Sequence, residues 1–110
     1  MSTGRVGDDE APGFAARRDG DVVYLVGEMA SDTDAAMASA FADLLGAAAA
    51  GDLTLDMTGV RFCDSTGLNH LAGLRRSAGS DRTITLRGTR PLVRRVLEIT
   101  GMDEVFAIEP

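Results

Sequence analysis

One stretch, Leu53 to Ala78, restricts the possible folds more than any other part of the chain. It reads LTLDMTGVRFCDSTGLNHLAGLRRSA, a strand, a short join and a helix. Leu53, Leu55 and Met57 alternate with Thr54 and Asp56, the period-two pattern of a strand with one buried face, and Gly59 breaks the run. Val60 and Phe62 resume the apolar pattern. Beyond Asp64 the apolar spacing lengthens to three or four residues, through Leu68, Leu71, Leu74 and Ala78, which is one side of a helix ending near Gly79. Ser65 falls on the join. Its oxygen is placed to cap the helix by accepting a hydrogen bond from one of the first unpartnered N–H groups. The same geometry has a second use. A hydroxyl at a helix N-terminus beside the small residues Thr66 and Gly67 is open to a kinase, and a phosphate there meets free N–H groups and the positive end of the helix dipole.

Around this core piece the remaining elements read in order. Met1 to Gly13 combines Gly, Ser, a proline and the acids Asp8, Asp9 and Glu10 without periodicity, and is expected to be a flexible tail to a domain spanning 14–110. Phe14 to Arg18 is expected as a first strand, turning at Asp19-Gly20 into Val22 to Val26, where every position is apolar, as in a strand covered on both faces or one central to the sheet. Gly27-Glu28-Met29-Ala30 ends that run. Ser31 followed by Asp34 resembles a capping box. It opens a helix whose stripe, Met37, Ala40, Phe41, Leu44, Leu45 and Ala48, is the cleanest amphipathic pattern in the chain and is expected to face the core. Arg82 to Arg87 alternates as a half-buried strand. Thr89 is expected to cap a third helix, with Pro91 in its first turn, Gly101 past its end, and Leu92, Val93, Val96 and Leu97 on its buried side. Val105 to Ile108 adds a final strand or helical turn. The alternation implies a single α/β domain with a mixed sheet of four to five strands against three to four helices, its first pair antiparallel and the rest parallel.

Composition excludes several classes of function. With 17 acidic and 11 basic residues the net charge is -6, a poor match for nucleic acid or an anionic membrane. Every basic residue is Arg, so no Walker A or Schiff-base lysine exists. One Cys and one His make neither an internal disulfide nor a metal site, and no cofactor is implied. No run approaches the ~20 apolar residues of a membrane span. A reducing, cytoplasmic setting is the expectation.

Phe62-Cys63-Asp64-Ser65-Thr66-Gly67-Leu68, preceded by a strand carrying Asp56, closely resembles the phosphorylation motif of bacterial anti-anti-sigma factors, the single-domain members of the STAS family. Gly27-Glu28 upstream and the Thr89-Arg90-Pro91 helix downstream stand in the matching order, so the resemblance covers roughly residues 20–106. It implies that Ser65 is the phosphoacceptor and that Glu28, Asp64, Thr66, Gly67, Leu68 and His70 contribute to a partner surface. It further implies a partner that is both anti-sigma factor and serine kinase, bringing its own ATP and Mg²⁺, and a serine phosphatase that resets Ser65. The chain itself would be no enzyme. Relatives usually carry Asp at the position of Ala30, with Asp32 and Asp34 the nearest acids here.

Duller readings stand beside these. Thr66 is a second acceptor or simply a first-turn residue, and Asp64 orients the serine or makes a turn bond. Gly67 admits a partner or relieves a clash, Cys63 fills the core, and His70 lies about 140° round the helix from Ser65, out of reach as its base. The seven Arg between Ser65 and Leu97, against the single acid Asp81, are solvated helix faces or match an acidic partner. Two other functions compete with the first: a STAS subunit of a lipid-transport or stress-signalling assembly in which Ser65 is only a cap, and a small nucleotide-binding α/β protein. The last has no Gly-rich phosphate loop to support it.

Overall fold

The computed structural model describes residues 13–47 and 51–109. The expected tail, apart from Gly13, lies outside the described residues. β1 (Phe14–Asp19) and β2 (Val22–Met29) pair antiparallel, Phe14 opposite Gly27 and Asp19 opposite Val22, across a two-residue turn in which Gly20 takes φ 63°. α1 (Asp34–Ala47), β3 (Leu53–Cys63), α2 (Ser65–Ala78), β4 (Ile84–Arg87), α3 (Pro91–Thr100) and β5 (Ala107–Glu109) follow. The sheet runs β1-β2-β3-β4-β5, parallel from β2 onward. This is the mixed five-stranded α/β sheet with three helices that the alternation implies.

Each parallel step moves the chain one strand in the same direction. Right-handed crossovers of that kind put every helix on one face of the sheet. The burial pattern agrees. Val23, Leu25, Leu55, Met57 and Leu86 point from the strands into one cluster with Met37, Phe41, Leu71, Leu74, Val93 and Leu97 of the three helices. Of the two readings of the apolar run Val22 to Val26, the structure has the strand inside the sheet, paired on both edges, and not covered on both faces: Val23 and Leu25 are buried, while Val26 is 53% exposed on the other side.

β3 is continuous, although Gly59 suggested a break. The interruption is an irregularity in pairing: Tyr24 faces Asp56 but Val26 faces Gly59, and a second slip falls between Gly27 and Glu28. Each extra residue shifts the alternation, so the buried positions run Leu53, Leu55, Met57, then Val60, then Cys63.

Other boundaries moved for local reasons. A 3₁₀ turn at Ser31–Thr33 precedes α1, and Thr33 does the work expected of Ser31. The Thr33 hydroxyl accepts from the Ala30 N–H at 3.0 Å and lies 2.8 Å from the Glu28 carbonyl. Met37, Phe41 and Leu44 are buried as expected, and Leu45 and Ala48 fall outside the described side chains. α3 is capped by Arg90 rather than Thr89, because Pro91 occupies the first helical position and forces the preceding residue to extended geometry, ψ 154°. Its core line is Val93 and Leu97. Leu92, one residue or about 100° away, is 72% exposed, contrary to expectation.

Candidate functional site

The parallel strands β2 and β3 end side by side, and the chain leaves β3 directly into α2. Asp64 makes the join. Its N–H donates to the Met29 carbonyl at 3.0 Å, tying the start of α2 to the end of β2. Its backbone is extended (φ -109°, ψ -166°), and its Oδ1 accepts from the N–H of Thr66 at 2.8 Å and of Gly67 at 3.3 Å. Asp64, not Ser65, is therefore the helix cap. An N-cap must be non-helical and reach the second and third N–H groups, and a carboxylate there also meets the positive end of the dipole. Ser65 becomes the first helical residue. It is exposed, and among the described residues its hydroxyl makes no hydrogen bond.

Behind the join the fit is tight. Gly67 is buried, and a Cβ on it would lie 2.6 Å from both the Cβ and the carbonyl oxygen of Met29 and 2.9 Å from the Cys63 sulfur. The absence of a side chain there thus allows the close seating of α2 on β2. Leu68 is half-buried and packs on the core, which gives it a similar supporting role. Cys63 is buried, and burial, with the Asp64 charge adding to it, pushes its thiol up to about 11. It is an inert filler at neutral pH.

Toward the surface, Thr66 is half-buried in the first turn. The Glu28 carboxylate lies 3.8 Å from the Arg61 guanidinium, with both side chains about half exposed, an arrangement that contributes little to stability. His70 stands apart. Its Nε2 lies 2.8 Å from the Asp34 carboxylate, and its ring packs 5.9 Å from that of Phe41, so it pins α2 to α1 and is turned away from Ser65. Ala30 is buried, and of the nearby acids Asp34 is taken by His70 while Asp32 is exposed in the 3₁₀ turn.

Sequence reasoning did not single out Phe62. It is 48% exposed, three residues before Ser65, and stands opposite Glu28 on β2. Alternation alone assigned Phe62 to the core, and the pairing slips in β3 turn it outward. The arginine cluster has largely internal duties: Arg75 donates to the carbonyls of Gly79 and Arg82, Arg82 to Gly51, Arg90 to Thr58, and Arg94 pairs with Glu98. Arg87 makes two bonds to Asp56 Oδ2, at 2.9 and 3.1 Å. Burial opposes ionisation of Asp56, but the Thr58 N–H and hydroxyl together with Arg87 outweigh it, so its carboxyl titrates below the usual carboxylate range.

Chemically, the site presents the exposed Ser65 hydroxyl at a helix start, next to the Asp64 carboxylate that the cap bonds occupy. Among the described residues no cluster of His, Cys, Asp or Glu could hold a metal, and no helix is long and apolar enough to cross a membrane.

Comparison with known proteins gives a consistent set. A family model described as "Mlab, STAS domain" matches residues 13–109. No curated protein sequence matches. Among solved structures, an anti-sigma factor antagonist from Mycobacterium paratuberculosis is 25% identical with a TM-score of 0.76, covering 88% of this chain and 84% of that one. An anti-sigma-factor antagonist (STAS) domain protein from Planctomyces limnophilus is 19% identical with a TM-score of 0.72, covering 87% of both chains. The Bacillus cell fate determinant SpoIIAA in its phosphorylated form is 17% identical with a TM-score of 0.60, covering 88% of this chain and 91% of that one.

Proposed function

The chain belongs to the STAS-domain family, and we propose that within it this protein is an anti-sigma factor antagonist switched by phosphorylation of Ser65. The domain is a regulatory binding module, not an enzyme. In this reading its unmodified form binds an anti-sigma factor that is also a serine kinase and displaces the sigma factor. The kinase brings ATP and Mg²⁺ and transfers the γ-phosphoryl group to the Ser65 oxygen. The bond to ADP breaks, and the hydroxyl proton passes to a base on the kinase. A serine phosphatase later restores the hydroxyl.

The observation that carries this reading is the division of labour at the helix start: Asp64 caps α2, leaving the Ser65 hydroxyl exposed and uncommitted. A phosphate there adds about -1.5 to -2 charge where the helix dipole tolerates it, so the domain need not refold. The same charge, beside Asp64 and set into a close contact, stands without a counter-ion. Unpaired interfacial charges cost about 2–5 kcal/mol, a roughly thirty- to several thousandfold loss of affinity. Glu28, Thr66, Phe62 and the surrounding backbone form the contact. Gly67 and Leu68 hold it in shape, and His70 holds it from a distance.

A second reading rests on Ala30. Where relatives usually carry an acid, this chain has a buried methyl group. That favours a STAS subunit of another assembly, such as one for lipid transport or stress signalling, in which Ser65 stays unmodified. Mass measurement after incubation with ATP, Mg²⁺ and the cognate kinase separates the two. Gain of one phosphate by the wild type, and none by Ser65→Ala, supports the switch. No gain by the wild type, or equal gain by both proteins, contradicts it.

A further inference from the structure

Among the described residues nothing covers the sheet face opposite the helices, and this is unusual. Parallel strands occur almost only in sheets covered on both sides, yet here four of the five strands run parallel and every helix packs on one face. On the bare face the strand register lines up one transverse row: Arg17, Tyr24, Asp56, Arg87 and Glu109, each opposite the next on the neighbouring strand. The row is ordered by charge. Arg17 sits at one end with its guanidinium 4.7 Å over the Tyr24 ring. Asp56 and Arg87 neutralise each other in the middle, and Glu109 closes the other end, exposed like Arg17. The two end charges are opposite in sign and two strands from the centre on either side.

We propose that this face is the docking site for a second copy of the chain, in a two-fold dimer whose axis runs along β3 in the plane between the two sheets. Such an axis keeps strand direction and reverses strand order. It lays Arg17 of one copy over Glu109 of the other, and Tyr24 over Arg87, at both ends at once. A surface that complements itself only after left and right are exchanged fits its own twin better than an unrelated molecule. Asp56 meets its own copy at the axis, but each is already held by two bonds from Arg87. Val26, half exposed on the same face, adds apolar area. With strands about 4.8 Å apart and about 3.3 Å per residue, the footprint is roughly 500 Å² per copy, the class of weak and reversible contacts. Ser65 lies at the helix start, outside the row, and stays open in the dimer.

Sedimentation velocity on the full chain, from micromolar to millimolar concentration, tests this. The wild type is expected to dimerise reversibly. Arg17→Glu and Glu109→Arg should each weaken association by about tenfold or more, since each sets like charges face to face. The double exchange Arg17→Glu with Glu109→Arg should restore it. Both changes are at exposed positions, and circular dichroism checks the fold. Wild type that stays monomeric at millimolar concentration overturns the proposal. So does a dimer indifferent to either reversal, or one that the double exchange fails to restore. Ser65→Asp should leave dimerisation unchanged, so this proposal and the phosphorylation switch stand or fall separately.

Discussion

Replacing Gly67 by Ala is a sharp probe of the join between α2 and the sheet, because two effects of opposite sign compete there. In a helix interior Ala is favoured over Gly by about 1 kcal/mol. At Gly67, however, the new Cβ would sit 2.6 Å from the Met29 carbonyl oxygen, which also accepts the Asp64 N–H at 3.0 Å. Ordinary contact begins near 3.4 Å, so α2 must back away by several tenths of an ångström and stretch that hydrogen bond. Overpacking of this kind costs about 1–3 kcal/mol, and a weakened hydrogen bond about 1 more. The net expectation is destabilisation by about 1–3 kcal/mol. Gly73 is the internal control: it lies on the same helix, and its Cβ would meet nothing nearer than the Arg76 guanidinium at 4.0 Å. Gly73→Ala should therefore stabilise by up to about 1 kcal/mol. Urea unfolding reads both, and thermal melts should separate them by about 4–8 °C per kcal/mol. If Gly67→Ala proves as stable as wild type, the close seating of the helix start is wrong.

Three further outcomes follow from the same geometry. Asp64→Ala should cost about 1 kcal/mol of stability and Asp64→Asn only a few tenths, whereas Ser65→Ala should change stability by less than about 0.5 kcal/mol, as urea titration would show; the reverse order would restore Ser65 as the cap. The carboxyl of Asp56 titrates below its unfolded value. Its pairing therefore contributes fully above pH ~4 and is lost as pH falls through the lower, folded value. Asp56→Asn should flatten the acid limb of a stability-versus-pH curve, and an unchanged limb would contradict the pairing. Cys63, with its thiol raised to about 11, should resist thiol reagents at pH 8 in the native protein and react only on unfolding; rapid native labelling would contradict its burial.

Much of this architecture is legible in the sequence because its signals are local. The change of period at Asp64, the Asp19-Gly20 turn, Gly79 and Gly101 after the helices, and the stripe of Met37, Phe41 and Leu44 each depend on neighbours within a few residues. What escapes the sequence depends on other strands. Whether Val26 is covered is decided by the hand of three crossovers, not by its own segment. Phe62 turns outward because β3 slips twice against β2, and only the Gly59 interruption hinted at it. At the site the residue types were legible but their duties were not. Either Asp64 or Ser65 can cap a helix, and the choice falls to the residue whose backbone stays extended as β3 ends. His70 was visible as a helix residue out of reach of Ser65. Its bond to Asp34 joins positions 36 residues apart, which no local pattern encodes.

The helix start is rigid on its inner side, where Gly67, Cys63 and Met29 interlock, and uncommitted on its outer side, where Ser65 projects. A change of charge on the outer side can alter what docks there without disturbing what lies behind it. The most direct measurement is calorimetric titration of the anti-sigma factor with two preparations of this protein, unmodified and stoichiometrically phosphorylated on Ser65. Tight binding by the unmodified form and a loss of about thirtyfold or more on phosphorylation, with an unchanged circular dichroism spectrum, is the predicted result. Equal affinity of the two preparations, or a phosphorylated form that has unfolded, would contradict the account.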